Sequence, residues 1–258
     1  MIVRTDAVVL HTFDYGETSK IVRLLTRQHG VIGVMARGAR RPTSTFGSTL
    51  QPASYVQAVY YYRAERGLQT LKEASHVVRW RRLTGDFERV PLALRVVEVA
   101  RLLVEEGAQA NPLVLDLTTR TLEFLETADD RAAVAVPWYQ LRLAALLGFA
   151  PDVQRQDVLA VGEDGGRLVL QTGAVAGRAG GEGVRASRAA LRAFAVLART
   201  GLDTVGRMRL TPQVLREVEN LVDAFVRLQA DVTFPERVRG VADQLGARLS
   251  AADPDGAP

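Results

Sequence analysis

The sequence predicts an α+β, multi-domain protein: a small closed β-barrel at the N-terminus, then an α-helical bundle interrupted by a small glycine-rich β insertion. Three observations carry this. Short apolar or alternating runs recur through residues 1–80, with turn chemistry between them. From about residue 83 the apolar spacing changes to three and four. Between residues 149 and 186 the helical spacing stops and eight glycines appear, at 162, 165, 166, 173, 177, 180, 181 and 183.

The five runs of the head are 6–12 (DAVVLHT), 19–27 (SKIVRLLTR), 30–38 (GVIGVMARG), 54–62 (SYVQAVYYY) and 68–77 (LQTLKEASHV). Asp14-Tyr15-Gly16, His29-Gly30, Arg41-Pro42, Gln51-Pro52 and Arg66-Gly67 punctuate them. In the fourth run Val56, Ala58, Tyr60 and Tyr62 share one face, with Tyr55, Gln57, Val59 and Tyr61 on the other. Large side chains on both faces suit a strand in a small barrel. Five strands in about 80 residues leave no room for crossover helices, so the expected architecture is a five-stranded barrel of the OB type over residues 1–80.

A helical bundle is expected over residues 81–150 and 187–250. Its first helix spans Phe87 to Glu106, with Val90, Leu94, Val97, Ala100, Leu103 and Val104 inward. Asn111-Pro112 reads as an N-cap followed by proline at the first helical position, opening a helix to about Glu126. A third runs from Arg131 to Leu147, where Pro137 marks either a kink or the true start. The inserted segment, residues 151–186, holds one strand-like piece, RLVLQ (167–171). Ser187 then caps a helix ending before Gly201, and Thr211-Pro212 opens one to about Ala230 with Val214, Leu215, Val218, Leu221, Val222 and Phe225 inward. Pro235 begins a last helix to about Leu249, followed by a frayed tail.

Charge is unevenly spread. Of 33 Lys plus Arg and 29 Asp plus Glu, 13 and five fall within residues 1–82; the head therefore carries +8 and the remainder −4. Such a head points to a polyanion. Lys20, Arg23 and Arg27 lie on or beside the second run, and Arg37, Arg40 and Arg41 follow the third in a glycine-flanked loop. Arg79, Arg81 and Arg82 close the head. Tyr15, Phe46 and Tyr60–Tyr62 are aromatic candidates for base stacking, which an OB barrel combines with a cationic groove. Core packing accounts equally well for half of the tyrosine run, and solubility for the arginines. Charge and pattern alone leave DNA, RNA and an acidic protein tail open as ligands.

Enzyme chemistry finds little support. His11, His29 and His76 have no Ser or acid in a nucleophile motif, and neither GxxxxGK(S/T) nor a strand-to-helix GxGxxG is present. The acid pairs Glu105-Glu106 and Asp129-Asp130 read as solvated helix ends. The absence of cysteine excludes disulfides and thiolate metal sites and accords with a reducing, cytoplasmic setting. No apolar run reaches the length of a membrane span, and the N-terminus lacks the pattern of a secretory signal.

The head resembles the N-terminal barrel of the RecO family. The resemblance rests on an ordered set: Tyr15-Gly16-Glu17, Ser19-Lys20, Thr26 to Gly30, Arg37-Gly38-Ala39-Arg40-Arg41, then Phe46-Gly47. It implies a non-enzymatic recombination mediator that binds single- and double-stranded DNA and anneals complementary strands. With RecR, such a protein promotes RecA loading onto DNA coated by single-strand-binding protein, in the nucleoid and without a cofactor. By motif match Lys20, Arg37, Arg40 and Arg41 would bind DNA; Arg23, Arg27, Arg79, Arg81 and Arg82 are added from charge and position. Many RecO proteins carry a four-cysteine zinc site in the inserted segment. Here the corresponding positions hold Val158, Val161, Ala176 and Ala179, so the insert is expected to be a degenerate zinc-finger-like segment, closed by a small apolar core and free of zinc. The competing expectations are an OB adaptor for acidic protein tails and an RNA-binding OB protein.

Overall fold

A computed structural model describes residues 1–128, 132–178 and 181–232. Strands β1 (Ile2–Tyr15), β2 (Ser19–Thr26), β3 (Gly30–Ala36), β4 (Tyr55–Tyr61) and β5 (Leu68–Val78) close a barrel in the order β1-β2-β3-β5-β4. Every neighbouring pair is antiparallel except β3 with β5. Closure leaves the sheet without free edges, which removes a template for edge-to-edge aggregation. The barrel interior holds Val3, Ala7, Val9, Val22, Leu24, Ile32, Val34, Val56, Ala58, Tyr60 and Leu71. Of the two faces of β4, the one with Val56, Ala58 and Tyr60 fills the barrel. A one-turn 3₁₀ helix, Gly47–Leu50, brings Phe46 and Leu50 into the same core.

Regular alternation is interrupted in β1. Its pairing with β2 shifts between Val9 and His11, which leaves Leu10 as the extra residue of a bulge. Before the bulge, Ala7 and Val9 point into the barrel; after it, His11, Phe13 and Tyr15 lie opposite Arg23, Ile21 and Ser19 on the outside.

Helices α1 (Arg82–Gly85), α2 (Arg89–Leu103), α3 (Pro112–Thr127) and α4 (Ala135–Leu146) follow, then α5 (Arg155–Ala160). Strands β6 (Gly166–Val169), β7 (Ala174–Gly177) and β8 (Val184–Ala186) form a three-stranded sheet in the order β7-β6-β8. Helices α6 (Arg188–Arg199), α7 (Leu202–Val205) and α8 (Pro212–Ala230) complete the described chain. Asn111, Ser187 and Thr211 each accept a helix amide at their predicted N-caps. Pro137 lies in the first turn of α4, where its missing amide costs nothing. Leu94, expected inward, is exposed instead; α2 turns Ala93, Val96, Val97, Val99, Ala100 and Leu103 to the core.

Barrel and bundle share one core. Val8, Leu10, Leu25, Val31 and Ala53 of the barrel pack into the cluster formed by α2, α3 and α4. Each of these buried valines and leucines contributes about 1.5–3 kcal/mol. The insert joins the same core through Val158, Val161, Leu168 and Val175. Two of the four positions aligned with zinc ligands therefore hold buried valines. Ala176 pairs with Arg167 across the sheet, and Ala179, like the last predicted helix and Asp129-Asp130, lies outside the described residues. None of these side chains carries a donor atom, so the residues do not fit zinc. Arg167 instead ties the β7–β8 connection, donating to Arg178 O at 2.6 Å and to Gly181 O.

Candidate nucleic-acid interface

The bulge at Leu10 builds an outward platform from three strands. One row across the sheet is His11, Arg23 and Gly33; the next is Phe13, Ile21 and Met35. Tyr15 and Ser19 begin a third row. Phe13 and Tyr15, the latter at the end of β1, are 40% and 53% exposed, so much of each ring is open to solvent. The His11 and Phe13 ring centres are 5.8 Å apart.

The arginine loop flanks this platform. Tyr15, Ser19, Met35, Arg37, Gly38 and Arg41 line an open cleft of about 540 Å³. Gly38 turns the chain with φ +72°, a conformation that disfavours a side chain, and Arg41 N bonds Gly38 O at 3.0 Å. Arg40 fastens the loop to the β1–β2 turn: its backbone amide donates to Thr18 O at 2.9 Å and its guanidinium to Gly16 O at 2.8 Å. Arg40 and Lys20 both face Asp14, at 3.3 and 3.5 Å. Arg37 and Arg41 are exposed and make no ion pair or side-chain hydrogen bond among the described residues. Those two present undiminished charge to the cleft.

The other predicted basic residues have different surroundings. Arg23 lies on the platform and pairs with Glu106 of the α2–α3 connection. Arg27 pairs with Asp116 of α3 at 2.6 Å. Past the end of β5, the backbone amides of Arg81 and Arg82 bond the Glu126 carboxylate, and the Arg82 side chain donates to Ala128 O at 2.7 Å. Arg79 is exposed beside His76, whose pKa is lowered by burial and, secondarily, by that charge. Arg79, Arg81 and Arg82 do not join the cleft that holds Arg37 and Arg41.

Stacking by Phe46 is corrected, and for Tyr60 the core-packing alternative holds. Phe46 and Tyr60 are core residues, 7% and 0% exposed. Burial pushes the Tyr60 hydroxyl up to about 12, and that hydroxyl lies 2.7 Å from His29 Nδ1. Tyr62 stacks on His29 with ring centres 3.9 Å apart, and burial lowers the His29 pKa. Glu106 is also not a solvated helix end, because its carboxylate sits against the sheet.

Residues that sequence reasoning missed are His11 and Phe13, turned outward by the bulge, and Arg63 and Arg66 of the β4–β5 turn. The last two line a cleft of about 390 Å³ with Tyr61 and Tyr62. Their position beside the Arg66-Gly67 turn was the signal available for them. For His11 and Phe13 there was none.

Fold and site define an OB-barrel protein with a cationic, aromatic outer face, braced by a helical bundle. Its first 78 residues match the family model Recombination protein O N terminal, and residues 84–237 match Recombination protein O C terminal. DNA repair protein RecO of Salinibacter ruber is 49% identical over 246 residues, covering 95% of this chain and 94% of the relative. DNA repair protein RecO of Exiguobacterium sibiricum is 29% identical over 249 residues, 95% and 98% of the two chains. That of Bacillus subtilis is 33% identical over 153 residues, 59% and 58%. The chain belongs to the RecO family of DNA repair proteins.

Among the described residues, no helix is long and apolar enough to cross a membrane, and no three His, Cys, Asp or Glu side chains gather to hold a metal ion.

Proposed function

We propose that this protein is a recombination mediator that binds single- and double-stranded DNA on the outer face of its barrel. It anneals complementary strands there and, with RecR, promotes RecA loading onto DNA coated by single-strand-binding protein. The observation that carries the reading is the platform of His11, Phe13 and Tyr15 beside the free charges of Arg37 and Arg41. Exposed rings stack on bases of any sequence, and guanidinium groups hold phosphates. Bringing two strands to one cationic face lowers their mutual repulsion, and the accompanying release of counterions makes binding salt-dependent. No step breaks a covalent bond, so no catalytic group and no cofactor is needed.

Residues 1–80 act as the DNA-binding unit in this reading. Residues 81–150 with 187–250 position the protein partners, with 151–186 as their zinc-free insert. Lys20 and Arg40 shape the loop that presents Arg37 and Arg41; Arg79, Arg81 and Arg82 extend the positive field, and Arg23 and Arg27 contribute less because Glu106 and Asp116 pair with them. The protein works in the cytoplasm at the nucleoid.

Annealing of two complementary fluorescent oligonucleotides, with and without single-strand-binding protein and across a salt series, tests the proposal. Salt-sensitive acceleration that persists on coated strands is expected. Binding without annealing would reduce the protein to an adaptor. Equal or tighter binding to matched RNA would move it to RNA processing.

A further inference from the structure

Arg23 has a central place on the platform, yet its guanidinium is already engaged. The partner, Glu106, is held in position by the backbone. It forms a parallel bridge to Val31, and Gly107 N donates to Val31 O at 3.0 Å. The α2–α3 connection thereby continues the edge of β3 beyond the point where β5 pairs with Gly33. The Glu106 carboxylate then sits over Gly33 and meets Arg23. A Cβ placed on Gly33 would be 3.0 Å from Glu106 Oε1 and 3.6 Å from Arg23 Nη1, so a side chain at 33 would push the carboxylate away by a few tenths of an ångström. The pair is about one-third exposed at both ends and opens onto a cleft of about 740 Å³ that also reaches Phe13 and Ile21.

We propose that the Glu106 carboxylate occupies the seat of a DNA phosphate on Arg23, so that an incoming strand engages Arg23 only by displacing it. The inference rests on the platform being the strand's path. A carboxylate and a phosphate offer a guanidinium the same planar pair of oxygen acceptors. The pair is solvent-reachable and therefore weak enough to exchange. Glu106 thus holds Arg23 extended along the sheet when no strand is present and lowers affinity for short or weakly bound strands. Because Glu106 belongs to the α2–α3 connection, its displacement also reports strand binding to the helical bundle.

The test is binding of the full-length protein to a fluorescent single-stranded oligonucleotide across a salt series. Glu106→Gln keeps the shape and removes the charge. It is expected to bind on the order of threefold to tenfold more tightly at low salt, with a log-log salt slope steeper by about 0.7, one more phosphate on a single strand. Glu106→Ala should move in the same direction, and adding Arg23→Ala to Glu106→Gln should abolish the gain. A gain that survives Arg23→Ala overturns the inference, because loss of negative charge anywhere would then suffice. Unchanged or weaker binding by Glu106→Gln also overturns it, provided Arg41→Ala still weakens binding. If Arg41→Ala has no effect either, the platform itself is the wrong path.

Discussion

Arg27, the residue after β2, donates to the Asp116 carboxylate on α3 at 2.6 Å, joining barrel to bundle across 89 residues of chain. The hydrogen bond to Asp116 is the main reason the Arg27 pKa is raised, and burial opposes it. Both side chains are about two-fifths exposed, so water and salt screen the pair. Arg27→Met is expected to cost under about 1 kcal/mol in denaturant unfolding. It should also weaken DNA binding less than Arg41→Ala, since the Arg27 charge is already matched.

Glu126 has the larger structural effect. Its carboxylate accepts from three successive backbone amides, those of Arg81, Arg82 and Leu83, at 2.8–3.2 Å. It caps α1 from the end of α3 and so fixes where the chain enters the bundle. Glu126→Ala leaves all three donors without that acceptor, and a loss of about 1–2 kcal/mol is expected. Urea unfolding with an unchanged m-value is the check.

Stability should fall in mild acid. His29 and His76 both have pKa values lowered in the folded state, in each case chiefly by burial. An unfolded His takes up its proton near pH 6.5, before the folded one does. The stability that depends on the neutral rings is therefore complete above about pH 6.5 and is lost as pH falls through the lower folded values. Unfolding free energies measured from pH 7.5 to 5 should decline, and the double variant His29→Gln with His76→Gln should flatten that decline. Glu98, held low chiefly by its hydrogen bond to Arg101, adds a further loss only below about pH 4.5.

Local chemistry explains what the sequence disclosed. Caps at Asn111, Ser187 and Thr211 announce their helices because a side-chain oxygen satisfies an amide a few residues away. The two faces of β4 could be separated by alternation, but with large side chains on both only the fold shows that Val56, Ala58 and Tyr60 fill the barrel. The inverted outer face of β1 depends on one extra residue, Leu10, chosen by pairing with β2, and no local pattern marks it. Strands β7 and β8, of four and three residues, are too short for a period to register. Which arginines keep their charge for a ligand was hidden for the same reason: Glu106 and Asp116 reach Arg23 and Arg27 only through the tertiary fold. The basic loop was legible, and the division of labour within it was not.

Stacking on the platform should be separable from charge. Phe13→Ala and Tyr15→Ala are each expected to weaken single-strand binding by about 1–3 kcal/mol while leaving its salt slope unchanged. Duplex binding should change less, because paired bases are already stacked. Fluorescence anisotropy with matched single- and double-stranded oligomers distinguishes the two effects.

The central claim is that Arg37 and Arg41 meet DNA phosphates beside this platform. Its most direct test is the salt dependence of single-strand binding by the double variant Arg37→Ala with Arg41→Ala. The expected result is weaker binding on every sequence and a log-log salt slope shallower by about 1.4, two phosphate contacts on a single strand. An unchanged slope in a variant that unfolds at the wild-type temperature would contradict the account.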